Sequence, residues 1–320
     1  MPRIVVVLYL SNTKMKPNKK KLKSLFIAGL VLSLFIFGAG CADNGEEAHE
    51  EGEISAESEF NKPVSIGYVL WEGEIASTNV IQQVLRQAGY TNVEILAVDA
   101  GPLYQGLASG EFDFTTSSWL PLTHASYWNT YGDKIDSVGV NLEDVRIGLV
   151  VPSYVEDVNT IGDLNGNSVM FDGEIVGIDP GAGIMQATEN AIDVYNLNDY
   201  TLVSSSSAGM TAALQRAIVN EEPIVVTLWS PHWAFNRWDL KYLEDPEGVY
   251  GEAEHVETLA REGLKEDMPN LYGILERFAW THEDIQSVML DIEAGMTAEE
   301  AAAKWVENNP EKVKEWIGEE

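Results

Sequence analysis

The sequence predicts an α/β protein of two lobes with a ligand cleft between them. Short apolar runs alternate with helix-like stretches from about residue 62 to 240, and the alternation runs twice, before and after about residue 150. Three of the apolar runs close on a tryptophan: Trp71, Trp119 and Trp229. Strand–helix alternation marks a mainly parallel sheet covered by helices. In such sheets ligands sit outside the carboxyl ends of the strands, where these indoles fall.

In chain order, VSIGYVLW leads into STNVIQQVLRQAG, for which Ser77 or Thr78 offers a cap and Gly89 a stop. VEILAVDA precedes PLYQGLASG, and FDFTTSSW precedes a helix near HASYWNTYG. VRIGLVVP is a strand ended by Pro152, and the polar, turn-rich SYVEDVNTIGDLNG places the connection between lobes near residues 150–154. EIVGID runs through PGAG into a helix beginning near Ile184. TLVSSS, AGMTAALQRAIVN and PIVVTLW complete the second round. From about residue 252 the pattern turns helical, through EAEHVETLAREGL, MPNLYGILERF, THEDIQSVMLDIEAG and TAEEAAAKWVENN, with Thr297 and Glu300 at capping-box spacing. The expected division is 62–152 for the first α/β lobe, 153–250 for the second, and 251–320 for C-terminal helices packing on the lobes.

Residues 1–40 read as an export signal. They hold seven basic residues and no acidic one, then an apolar stretch too short for an ordinary spanning helix, ending GAGC at Cys41. That is the pattern of a bacterial lipoprotein signal, although Gly38 stands where an aliphatic residue is usual, and Met15 is an alternative start. Cys41 is the only cysteine, so the expected fold has no disulfide and a lipid on Cys41 would tether the chain to the outer face of the cell membrane. Residues 41–61 are acidic and unpatterned, as a tether would be.

Loss of the signal would move the formal net charge from −31 to −38. So acidic a surface excludes a nucleic-acid partner. It also destabilises a compact state by self-repulsion, a cost that high salt screens. The chain is therefore expected to work in salty surroundings. Its melting temperature should rise between low and molar salt; a flat or falling dependence in thermal melts contradicts this reading.

Taken singly, each strand-end tryptophan reads better as core. Together they suggest a box of indole faces, and Trp119 and Trp229 are each followed by a proline corner with a histidine nearby, in WLPLTH and WSPH. Such a box suits a cation that cannot donate hydrogen bonds, above all a quaternary ammonium. The turn in EIVGIDPGAGIM places Gly183 and Ile184 at a helix start, where unpaired amides and the helix dipole favour an anion. It lacks the third glycine of a dinucleotide fingerprint. Cation box plus anion site describes a zwitterion, and glycine betaine is the simplest fit. Three indole faces contribute roughly 2–6 kcal/mol and the helix start about 0.3–2, against about 8 for micromolar affinity. Burial of the methyls supplies more. His124 could donate to the ligand carboxylate. Asp179 reads as a cap for the following helix, and His232 as an ordinary satisfied histidine. The other six tryptophans, Trp305 among them, read as packing.

Catalysis finds little support. No cysteine is free for nucleophilic work, Ser204–Ser207 has no nearby histidine, and no cofactor or metal motif is present. A hydrolase built on His124, His232 and the serines is the alternative of a different class; turnover of esters and amides would reveal it. Within the binding class, choline or carnitine are the alternative ligands, and a sensor passing its ligand to a receptor is another use of the same site.

GYVLWEGEIAST, SSWLPLTHASYW, GLVVPSY, GIDPGAGIM, TLWSPHW and KYLEDP resemble segments of the glycine-betaine-binding proteins of ABC importers, and the resemblance covers nearly all of 62–320. It implies a type II periplasmic-binding-protein fold closing on its ligand. It places Trp71, Trp119 and Trp229 on the family's ammonium cage, the backbone of Gly183 and Ile184 on its carboxylate site, and His124 on a residue that helps bind carboxylates in some members. The implied partners are glycine betaine, and proline betaine as a second ligand, and an ABC permease in the membrane that receives a compatible solute from a monomeric binding protein.

Overall fold

The computed structural model describes residues 59–319. The signal-like segment and Cys41 lie outside the described residues. The first half follows the expected alternation: β1 (Val64–Tyr68), α1 (Glu72–Gln87), β2 (Val93–Ala97), α2 (Ala100–Ser109), β3 (Phe114–Leu120) and α3 (Ala125–Tyr131). The long strand β4 (Ile135–Pro152) leads to the second half, with β5 (Glu174–Val176), α4 (Gly183–Val194), β6 (Thr201–Val203), α5 (Ser207–Asn220), β7 (Val226–Ser230), α6 (Ala234–Arg237) and β8 (Leu240–Tyr242). The chain returns through β9 (Glu254–Arg261) and ends in α7 (Leu264–Asp267), α8 (Pro269–Arg277), α9 (His282–Glu293), α10 (Ala298–Asn308) and α11 (Pro310–Ile317).

The strands form two half-sheets that share β4. In the first, β1 lies parallel between β2 and β3, and β9 runs antiparallel between β3 and β4. In the second, β5 lies parallel between β6 and β7, and the far end of β4 pairs antiparallel with β7 and β8. The change of partner falls at Val145 and Arg146: Val145 faces Glu254, whereas Arg146 faces Ser230. The passage between the halves therefore lies inside a strand, a few residues before the expected loop at 150–154. Asp144, at φ +58°, bends the chain there.

Three local expectations need correction. EAEHVETLAREGL was expected to be helical, yet Glu254–Arg261 is the strand β9. Its buried and half-buried residues alternate over Glu254–Glu257 and then run buried through Thr258–Ala260, and pairing on both edges decided the outcome over helix propensity. α1 begins at Glu72, with Trp71 at the N-cap, so Ser77 and Thr78 are buried inside the helix and do not cap it. Asp179 does not cap α4, whose N-cap is Ala182 with no side-chain bond. By contrast, the Thr297–Glu300 capping box is made in both directions.

The C-terminal helices settle on the first half, with α9, α10 and α11 all packing against α1. Trp305 and Trp316 stack there at 5.4 Å and 14°. Glu59, at the end of the expected tether, is buried and binds the fold: it accepts hydrogen bonds from Tyr90 Oη and from the Leu271 amide. Among the described residues no helix is long and apolar enough to cross a membrane.

Candidate ligand-binding site

Both half-sheets present their strand ends to one cavity. Trp71 follows β1 at the head of α1, Trp119 sits at the end of β3, and Trp229 at the end of β7; each is nine-tenths buried or more. The three indoles, His124, Gly183 and Ile184 all line this cavity, along with apolar side chains such as Ile147, Ile178 and Val256. About 40 Å³ is open there to the centre of a water molecule, room for a few waters. Both proline corners, Leu120–Pro121 and Ser230–Pro231, are cis.

The indoles are held from behind. Trp71 Nε1–H donates to Asp179 Oδ1 at 2.8 Å, which ties the first half to the loop after β5. The neighbouring Glu72 accepts from Ser207 Oγ at 2.5 Å and lies 3.4 Å from His232 Nε2, both in the second half. Burial works against a charge on Glu72, but the imidazole of His232 and the Ser207 hydroxyl outweigh it and hold the carboxyl below its usual range. His232 in turn packs edge-on to Trp229 at 5.0 Å, and its Nδ1 accepts the Ala234 amide. Its Nε2 makes no hydrogen bond of ordinary geometry, and its partner there is the Glu72 carboxyl at 3.4 Å.

His124 is fully buried. Its Nδ1 accepts the Trp119 amide N–H at 3.1 Å, so the ring proton is assigned to Nε2, which faces no protein acceptor. Burial drives its pKa down to about 3, so the ring is neutral at any ordinary pH. Because the unfolded chain titrates near pH 6.5, the stability that neutral His124 contributes is complete above that pH and is lost as pH falls towards 3. Acidification from pH 7 to about 4.5 should cost the native protein roughly 2 kcal/mol more than it costs His124→Gln. Urea unfolding at the two pH values checks this; equal losses contradict it.

On another wall of the cavity, α4 begins at Gly183 with its first amides uncapped by any side chain. Gly183 presses on the β3–α3 loop so closely that a Cβ would lie 2.0 Å from the Thr123 carbonyl oxygen. That loop is itself pinned: the Leu122 and Thr123 amides both donate to Glu254 Oε2 at 2.8 Å, and Thr123 Oγ1 donates to Oε1. Tyr127 Oη donates to Gly181 O at 2.6 Å, another tie between the halves.

All six expected lining residues thus share one cavity. Several contributors were not singled out from the sequence. Glu254 was hidden in a segment read as helix. Trp280, read as packing, also lines the cavity, with Nε1 buried and unpartnered. Glu74 and Ser117 line it as well. Among the described residues no cluster of three metal-ligating side chains occurs.

Comparison with known proteins follows the same lines. The family model described as the substrate binding domain of ABC-type glycine betaine transport system matches residues 62–308. The chain is 54% identical over 144 residues to the glycine betaine/carnitine transport binding protein of Listeria monocytogenes serotype 1/2a; this stretch is 44% of the chain and 48% of the Listeria protein, so the match spans about half of that relative. Among solved structures, the chain is similar to the lactococcal protein in its closed-liganded conformation complexed with glycine betaine, with TM-score 0.77 and 44% identity over 80% of this chain and 100% of that one. It is similar also to the glycine/betaine/L-proline-binding protein from Borrelia burgdorferi, with TM-score 0.77 and 41% identity over 80% of this chain and 96% of that one.

Proposed function

We infer, since the chain belongs to the family of substrate binding domains of ABC-type glycine betaine transport systems, that it captures glycine betaine outside the cell and delivers it to an ABC permease. Proline betaine is the second ligand we assign to it. The observation that carries this reading is the meeting of three indoles with unanswered hydrogen-bond donors in one largely apolar cavity.

In this reading Trp71, Trp119 and Trp229 face the trimethylammonium group, which has no proton to donate and so loses nothing in a site without acceptors aimed at it. The Gly183 and Ile184 amides and His124 Nε2–H receive the carboxylate. Choline would leave those donors without an acceptor, and each unmet buried donor costs about 1–3 kcal/mol; this favours a carboxylated ligand. Closure brings the second half, from Arg146 to about residue 250, against 62–145 and the C-terminal segment from about residue 251. The ties from Trp71 and Glu72 to Asp179 and Ser207 hold the closed form. Export by residues 1–40 and a lipid on Cys41 would keep the protein at the outer membrane face, beside its permease.

Intrinsic tryptophan fluorescence, titrated with glycine betaine, proline betaine, choline and glycine, tests the reading. Saturable change at micromolar betaine, with none for glycine, is the expected result. No response to either betaine, or an equal response to glycine, overturns it.

A further inference from the structure

Four polar atoms on side chains that line the cavity have no hydrogen-bond partner: His124 Nε2, Trp280 Nε1, Ser117 Oγ and Glu74 Oε1. The ligand carboxylate accounts for the first. Glu74 is unaccounted for, and it is the only acid lining the cavity among the described residues.

Glu74 lies in the first turn of α1, three residues after Trp71, and is only 4% exposed. Its Oε2 accepts the Val69 amide N–H at 3.1 Å. Oε1 is buried and makes no hydrogen bond of ordinary geometry, although the Ser117 hydroxyl is close enough to act on the carboxyl. Around it stand the Asp179 carboxyl from the loop after β5, the Tyr104 hydroxyl from α2, Ser117 from β3 and the neutral ring of His124. On its own helix, Glu72 is turned to Ser207 and His232. No lysine or arginine lines the cavity. The nearest positive charge that Glu74 can meet is therefore the ligand's own.

We propose that Glu74 is the charge-selecting residue of this site: as an uncharged acid it favours net-neutral betaines over net cations such as choline, and only as a carboxylate does it become a partner for choline. The inference rests on the betaine reading above and deepens it. With Oε2 receiving an amide proton, the acid proton is assigned to Oε1, the unpartnered oxygen. Burial pushes the Glu74 carboxyl well above the usual range; the Val69 amide and Ser117 oppose that shift, and the Asp179 carboxyl adds to it. A lone cation entering this buried space while Glu74 is uncharged meets no countercharge. A betaine brings its own. When Glu74 loses its proton to solvent, the new anion attracts a net cation strongly, whereas for a zwitterion the attraction to the ammonium is partly cancelled by repulsion from the carboxylate. Rising pH should therefore tighten choline binding far more than betaine binding, and choline binding should expel a proton.

Calorimetric titration of the intact protein with choline and with glycine betaine, in a pH series rising from mildly acidic to the highest pH at which the protein stays folded, tests this with wild type and Glu74→Gln. The wild-type ratio of choline Kd to betaine Kd should fall tenfold or more across that range, and the ratio in Glu74→Gln should not change with pH. At the acidic end of the series, proton release, read in wild type from buffers of different ionisation enthalpy, should accompany choline and not betaine; this arm needs no variant to fold. A pH-independent wild-type ratio, the same pH trend in Glu74→Gln, or choline binding without proton release at the acidic end overturns the inference alone. Failure of wild type to bind any betaine at any pH of the series overturns the functional reading and this inference with it.

Discussion

Trp71→Ala should weaken glycine betaine binding about a hundredfold or more. One desolvated indole face is worth up to about 2 kcal/mol to a quaternary ammonium. Trp71 has a second task, since its Nε1–H answers Asp179 Oδ1 across the two halves at 2.8 Å. Removing it leaves Asp179 with both oxygens unpaired, because Oδ2 is already buried without a partner, and an unmet buried acceptor costs roughly another 1–3 kcal/mol in the closed form. Trp71→Phe keeps an aromatic face and loses only the tie, so it should fall between wild type and alanine. Trp305→Ala is the contrast. Trp305 stacks on Trp316 and packs edge-on to the back of Trp280, and does not itself line the cavity. Its loss should cost about 3–5 kcal/mol of stability while leaving betaine affinity within about threefold wherever the variant is folded. Binding titration and denaturant melts together check the pair. Equal loss of affinity in both variants would contradict a box built on Trp71.

Gly183→Ala should be nearly as damaging, through backbone and not through chemistry. The added Cβ would stand 2.0 Å from the Thr123 carbonyl oxygen, far inside contact distance. Thr123 cannot yield easily, because Glu254 holds its amide, its hydroxyl and the amide before it. The start of α4 must withdraw, taking with it the two amides assigned to the carboxylate. Overpacking of this kind costs about 1–3 kcal/mol, which appears as a tenfold to hundredfold loss of affinity, because separation of the halves relieves the clash. Gly181→Ala is the matched control. A Cβ there would lie 3.6 Å from Tyr127 Oη, an ordinary contact, and affinity should stay within about threefold. Similar losses in both variants would show that the close approach at Gly183 is not what matters.

Much of this was legible in the sequence because the signals were local. Strand periodicity, glycine stops and the paired Thr297 and Glu300 depend on neighbours within a few residues, and the alternation alone gave two α/β halves. The strand-end tryptophans were visible for the same reason, although Trp71 proved to stand three residues beyond β1, at the head of α1. What was not legible depended on partners far along the chain. β9 became a strand because β3 and β4 offered an edge on either side; its own residues do not exclude a helix. Asp179 looked like a cap until Trp71, more than a hundred residues earlier, proved to be its partner. Glu254 and Trp280 reach the site from the C-terminal third, after β9 and α9 have folded back on the first half, and no spacing within their own segments marks them.

The central claim is that indoles from both halves surround a methylated nitrogen while main-chain amides hold its acid end. A crystal structure of the protein grown with glycine betaine tests it most directly. The account predicts the trimethylammonium group in contact with the ring faces of Trp71, Trp119 and Trp229, and the carboxylate within hydrogen-bond distance of the Gly183 and Ile184 amides and His124 Nε2. A ligand bound elsewhere, or one lying in this cavity with its carboxylate turned away from α4, would contradict it.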